Sequence, residues 1–105
     1  MAGLIWTDPA LSDLNEIAEY IAIENPVAAR DLVQRVFSAV EHLIEHPSSG
    51  KVPEELKDNR YREVVCNPCR IFYRQTRDHV LILYVMRSER ELRNFLLEDR
   101  DEWGN

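Results

Sequence analysis

Residues 61–85 read YREVVCNPCRIFYRQTRDHVLILYV, and this stretch decides the fold. Three runs within it, Tyr61–Val65, Arg70–Arg74 and Val80–Val85, are short and rich in β-branched and aromatic residues. That composition suits a pleated, half-buried surface. Asn67-Pro68 and Thr76-Arg77-Asp78 lie between the runs and read as turns. Connections this short join antiparallel neighbours, so the stretch is predicted to form a three-stranded antiparallel meander. Alternation along the middle strand puts Ile71 and Tyr73 on one face and Phe72 and Arg74 on the other.

Upstream of the meander the apolar period changes. Leu4-Ile5-Trp6 is a short apolar run, read as a strand. Thr7-Asp8-Pro9 then signals a helix start, with Asp8 expected to cap it and Pro9 suited to the first helical position. Leu11, Leu14, Ile17, Ala18 and Ile21 recur at three- and four-residue steps, one apolar stripe. Asn25-Pro26 repeats the punctuation. A residue before proline avoids helical geometry, so the first helix should end near Glu24 and Asn25 should cap a second. That helix carries Val27, Leu32, Val33, Val36, Phe37, Val40, Leu43 and Ile44, and Pro47-Ser48-Ser49-Gly50 ends it. So short a link makes the two helices an antiparallel hairpin. Downstream, a last helix is expected over Glu89 to about Asp99, with Leu92, Phe95 and Leu96 on one side, before a frayed tail at residues 101–105. The class is α+β: an N-terminal strand, a helical hairpin packed on an antiparallel sheet with a C-terminal meander, and a short C-terminal helix, β-α-α-β-β-β-α.

One compact domain of 105 residues accommodates all of this. Apolar residues make up 45% and charged residues 30%, which excludes disordered and fibrous classes. Apolar runs are too short for a membrane span, and no basic leader precedes Leu4, so a cytoplasmic location is expected. The net charge of −6 is uneven. Residues 1–50 hold eight acids and two arginines, whereas residues 60–97 hold eight arginines against Glu63, Asp78, Glu89 and Glu91. The overall sign disfavours indiscriminate nucleic-acid binding. The local excess leaves room for one basic face.

Three short motifs invite chemistry, and each has a plainer reading. His42-Leu43-Ile44-Glu45-His46 matches a zinc-protease pattern. Leu43 and Ile44 simply complete the apolar stripe, and Pro47 ends the helix at once, so no metal is expected. Cys66-Asn67-Pro68-Cys69 falls in a strand-to-strand turn, without the helix N-terminus that activates a thioredoxin-like pair. It reads as two reduced cysteines at a hairpin. His79 could act as acid or base, but a turn histidine is ordinarily just solvated. The arginines say more: Arg60, Arg62, Arg70, Arg74, Arg77, Arg87, Arg90 and Arg93 fall on the meander or just beyond it, with no lysine among them. The planar guanidinium suits phosphates and carboxylates, which favours a recognition surface.

Taken in order, these elements resemble the ParE/RelE superfamily of bacterial toxins. The likeness runs over nearly all of residues 4–93. It is carried by Thr7-Asp8-Pro9-Ala10 through Asp13-Leu14 and Ile17, by Leu43-Ile44-Glu45-His46-Pro47 with Gly50, and by Arg62 with Val64. Arg70-Ile71-Phe72-Tyr73-Arg74 and Val80-Leu81-Ile82-Leu83-Tyr84-Val85 complete it. The ending departs from the common H-G-R-R-D pattern: here the stretch is Arg87-Ser88-Glu89-Arg90-Glu91.

The resemblance implies two activities. RelE-like members cut mRNA on the ribosome with lysines, arginines and a tyrosine; Arg70, Arg90 and Arg62 fall near three of those positions, but Val64 and Leu96 replace a lysine and the tyrosine. ParE-like members lack that set and poison DNA gyrase by protein contact, and this branch fits the sequence better. The resemblance also implies a cognate antitoxin whose disordered tail folds on binding, no cofactor, and operator DNA bound through the antitoxin rather than by this chain alone. Arg70, Arg74, Arg87 and Arg90 are the expected target contacts, with alanine at each expected to weaken toxicity without unfolding the protein. Leu11, Leu14, Ile21, Val33 and Phe37 are the expected antitoxin contacts.

Overall fold

The computed structural model describes residues 3–56 and 60–104, with side chains to Asp101. Lys57 and the tail side chains beyond Asp101 lie outside that set. The elements are β1 (Gly3–Trp6), α1 (Asp8–Ala22), α2 (Pro26–Glu45), β2 (Tyr61–Cys66), β3 (Cys69–Gln75), β4 (His79–Arg87) and α3 (Asn94–Gly104). Order and class are those read from the sequence.

The four strands form one sheet in the order β1-β4-β3-β2. The meander is antiparallel, with Cys66 opposite Cys69 at its first turn. β1 closes the far edge beside β4, and it does so in parallel, Leu4 opposite Val80 and Trp6 opposite Ile82. β4 is therefore central, and burial of both its faces accounts for its unbroken apolar run. Leu83 has no partner in β3, because the register shifts opposite Phe72 and Tyr73.

Thr7, rather than Asp8, caps α1. Its hydroxyl accepts from Ala10 N at 3.3 Å and donates to Ile82 O at 2.8 Å, so one buried side chain starts the helix and ties it to β4. Asp8 sits in the first turn instead, where its charge favours the helix dipole. Asn25 caps α2 as expected, accepting from Ala28 N at 3.1 Å.

Two cores lie on opposite faces of the sheet. The first holds Leu14 of α1, Leu32, Val36, Val40 and Leu43 of α2, and Ile71, Tyr73, Val80 and Ile82 of the sheet. The second holds Tyr61, Phe72, Leu81, Leu83, Tyr84 and Met86 beneath Leu56, Leu92 and Leu97. The split of Ile71 and Tyr73 from Phe72 follows the alternation. The C-terminal reading needs correction. Arg90 N bonds Arg87 O in a turn, and Leu92 N is held by Glu55, so the chain stays extended and α3 begins at Asn94. Leu97 is buried, while Phe95, expected on the covered side, is 57% exposed. Nor is Asp101 frayed: it is buried and accepts from Tyr61 Oη at 3.2 Å.

The loop after α2 is fixed through Tyr73. Its hydroxyl donates to Pro47 O at 2.8 Å and accepts from Gly50 N at 3.0 Å. Gly50 O in turn accepts from Arg62, and Lys51 pairs with Glu63 of β2 through both backbone bonds. The Pro47-to-Gly50 segment and the tyrosine of β3 are thus two halves of one contact.

Candidate functional site

The arginines of the meander do not present one open cationic face. Arg70 leaves β3 on the side of Phe72 and lies over that ring at 4.9 Å. Its guanidinium is held between two carboxylates, with bonds of 2.7 and 2.8 Å to Glu55 and of 3.3 and 2.6 Å to Glu63. Its side chain is 12% exposed and that of Glu63 only 3%. Glu55 reaches this pair from the loop, and it also accepts from Leu92 N, so Arg70 joins the sheet, the loop and the C-terminal segment. Lys51, Glu54 and Ser88 complete the cleft around them.

Charge pairing moves the two partners in opposite directions. The Arg70 guanidinium, through its hydrogen bonds, brings the Glu55 carboxyl down to about 2, and Glu55 raises the Arg70 pKa in return. A depressed carboxylate contributes stability above its unfolded value, near 4.5, and that contribution fades as pH falls from there toward 2. Glu55→Gln should therefore destabilise the protein at neutral pH and progressively less below pH 4.5. Denaturant midpoints for both proteins between neutral pH and pH 3 check this; a gap that does not narrow on acidification would refute the linkage.

Arg74 donates to Asp101 of α3 at 2.9 Å, so it too is spent inside the fold. Arg87 pairs with Glu89 at 2.7 Å but stays near the surface, and this partner holds its pKa up. Arg90 and Arg77 are exposed, and Arg62 bonds the Gly50 carbonyl. Of the four arginines expected to touch a target, Arg87 and Arg90 therefore lie at the surface, while Arg70 and Arg74 hold elements together. Alanine at Arg70 should destabilise the fold itself, so lost toxicity there would not report on a target contact, contrary to the expectation from sequence.

One cation outside that set matters more than its position suggests. Arg100 of α3 donates to Asp13 of α1 at 2.9 and 3.2 Å and to Leu83 O at 3.0 Å, and lies 3.9 Å above the Tyr84 ring. Asp13 also accepts from Val85 N at 3.1 Å. β1 ends at Trp6, and these two side chains satisfy the β4 edge beyond it. Asp13 next to Leu14 in the apolar stripe was the available signal.

On the helical hairpin, Ala18, Ala22, Pro26, Ala29 and Val33 line a groove between α1 and α2, rimmed by Glu19, Arg30 and Gln34. Of the five residues expected to meet an antitoxin, Val33 lines this groove. Leu14 is 3% exposed and belongs to the core, so it has no surface to offer. Ile21 is half-buried against that core. Leu11 is 39% and Phe37 38% exposed, and Phe37 packs on Trp6 with ring centroids 5.1 Å apart. Near the hairpin tip, Tyr20, Ile23 and Val27 are also exposed apolar residues.

The short motifs lie at the ends of elements. His42 and His46 stack at the exposed end of α2, centroids 4.6 Å apart, and no group of three or more potential ligands gathers among the described residues. His79 is the first residue of β4, and its backbone closes the preceding turn with Thr76. Cys66 and Cys69 are unpaired thiols at the hairpin end.

Comparison with known proteins agrees with the geometry. The family described as ParE toxin of type II toxin-antitoxin system, parDE, matches residues 4–92. "Putative toxin Y4kP" of Sinorhizobium fredii is 41% identical over 86 residues, covering 82% of this chain and 88% of that protein. "Toxin RelE2" of Caulobacter vibrioides is 38% identical over 52 residues, half of this chain and 59% of that one. A solved structure titled "Chromosomal ParDE TA system from P. aeruginosa" superposes with a TM-score of 0.71 over 85% of this chain and 98% of that one, at 23% identity, and so shares the fold. No helix among the described residues is long and apolar enough to cross a membrane. A match over residues 4–92 and the Y4kP likeness leave one conclusion: the chain belongs to the ParE toxin family of type II toxin–antitoxin systems.

Proposed function

We propose that this toxin arrests growth by binding DNA gyrase as a protein ligand, without a reaction of its own. The state of Arg70 carries the reading. RNA cleavage needs cations free to stabilise charge on a phosphorane. Here the arginine at the heart of the meander is neutralised by Glu55 and Glu63, with Glu54 in the same cleft. A phosphate entering there would meet three carboxylates. Val64 stands where the sequence comparison wanted a lysine, and α3 covers the second sheet face.

Arg87 and Arg90, at the exposed end of β4, are the contacts left for a target. Arg90→Ala should raise the concentration needed to inhibit supercoiling by about tenfold, roughly 1.4 kcal/mol of lost contact, with an unchanged melting temperature. The deciding assay measures gyrase supercoiling and DNA cleavage with the purified toxin, beside in vitro translation. Lost supercoiling with accumulated cleaved DNA and normal translation supports the reading. Cut mRNA with untouched gyrase overturns it in favour of ribosome-dependent cleavage, and no effect on either leaves a non-toxic antitoxin-binding module.

The family implies a cognate antitoxin. The groove at Ala18, Ala22, Pro26, Ala29 and Val33 is proposed as its seat, since small residues there let an amphipathic helix approach closely. Operator binding by the complex would then come from the antitoxin, because half of the toxin is strongly acidic.

A further inference from the structure

The β2–β3 hairpin ends in a pair of thiols that lie outside the contacts proposed above. Cys66 and Cys69 are direct register partners across a two-residue turn, and both are unpaired. Both belong to the core on the helical-hairpin face of the sheet, so the two sulfurs leave the backbone on the same side. Opposed residues on antiparallel strands have Cα atoms about 4.5–5.5 Å apart, inside the roughly 4.4–6.8 Å that a disulfide spans. The two thiols are not equivalent. Cys69 is fully buried, whereas Cys66 keeps 8% of its surface. Arg35 of α2 approaches Cys66, its Nη1 3.9 Å from Sγ, and the same nitrogen donates to Asn67 O at 2.9 Å, fixing the turn. Ser88 N anchors the other side of the turn through Pro68 O at 2.9 Å. The hairpin end is thus held from two elements, with both thiols buried and Cys66 the less completely enclosed residue.

We propose that Cys66 and Cys69 form a redox-active dithiol, with Cys66 the residue that meets a hydroperoxide and Cys69 the residue that resolves it. The Cys66 sulfur attacks the peroxide O–O bond, taking one oxygen as hydroxyl to become a sulfenic acid, and its proton leaves with the departing oxygen as water or an alcohol. The Cys69 thiol then attacks that sulfur. The S–S bond forms, the S–O bond breaks, and the hydroxyl leaves as water with the Cys69 proton. Two thiols are oxidised by two electrons and the peroxide is reduced. Burial pushes the Cys69 thiol up to about 11, which keeps it protonated at neutral pH and leaves the first attack to Cys66. A low-molecular-weight thiol reverses the bond by exchange. The closed ring spans a turn already held from both sides, so oxidation changes the reactivity of the hairpin more than its stability.

The test treats the purified full-length toxin with hydrogen peroxide at neutral pH, quenches it, and counts free thiols after denaturation, with intact mass and peptide mapping. The expected product is monomeric, lighter by two hydrogens, with both thiols lost together and both restored by dithiothreitol. Cys66→Ser should slow thiol loss at Cys69 by about tenfold or more, as burial alone would then govern it. Cys69→Ala should leave Cys66 to collect oxygen atoms, or a glutathione adduct when glutathione is present. Two surviving thiols in the wild-type protein would overturn the proposal. So would covalent dimers on a non-reducing gel, or Cys66 gaining oxygen in the wild-type protein as fast as in Cys69→Ala. The wild-type mapping stands alone if a variant fails to fold.

Discussion

Arg70→Ala is expected to remove about 3–5 kcal/mol of stability, the loss typical when one partner of a buried ion pair is deleted. Among the described residues, Arg70 is the cation paired with Glu63, a carboxylate that is 3% exposed and faces Phe72 across the strands. Without the guanidinium, Glu63 must stay nearly enclosed with no paired charge and beside Glu54 and Glu55, which costs free energy. The substitution also frees Glu55 and with it the anchor on Leu92 N, so the loop and the segment leading into α3 should loosen together. Chemical denaturation gives the magnitude, and hydrogen exchange at residues 88–92 reads the loosening. The comparison with Arg70→Met plus Glu63→Leu separates pairing from packing. Replacing both charges by apolar groups should recover most of the loss. An Arg70→Ala protein within about 1 kcal/mol of wild type would mean that Glu63 finds water, and the hub role would fall.

Gly50→Ala is expected to cost about 3 kcal/mol, from crowding of the kind that runs 1–3 kcal/mol in packed sites plus the hydrogen bonds it displaces. The reason is space and not backbone angle, since no described glycine has a positive φ. A methyl at residue 50 would come within 2.5 Å of Tyr73 Oη, 2.8 Å of Tyr73 Cε1 and 2.7 Å of Glu63 O. A side-chain hydroxyl can shift, but the Glu63 carbonyl belongs to β2 and is engaged by Lys51 N. Tyr73→Phe should cost about 1–3 kcal/mol by leaving the Gly50 N–H without its partner. Adding Gly50→Ala to Tyr73→Phe should cost less than it does alone, because one obstacle is gone. Additive losses in urea unfolding would show that Tyr73 and Gly50 are independent and would sink the account.

The element readings that succeeded rest on local rules. The period of Val80–Val85, the turns at Asn67-Pro68 and Thr76-Arg77-Asp78, and the Asn25-Pro26 start of α2 each depend on a few neighbouring residues. Those that failed depend on distant partners. Thr7 displaced Asp8 as the cap because Ile82 O lies within reach of its hydroxyl. α3 starts at Asn94 because Glu55, far away in sequence, takes Leu92 N. Leu14 looked like one more residue of an apolar stripe, and nothing local tells the buried side of that stripe from its rim.

For the candidate site the division is sharper. By itself the sequence determined the α+β order and an arginine-rich second half. Spacing and side-chain type suffice for these, because each is a property of one segment. Only the tertiary structure decided which arginines are free. The carboxylates that neutralise Arg70, Arg74 and Arg100 come from the loop, from β2, from α3 and from α1. A charge is spent or available according to what lies within a few ångströms of it. That distance is set by how the sheet, the hairpin and α3 pack, and no run of neighbours along the chain encodes it.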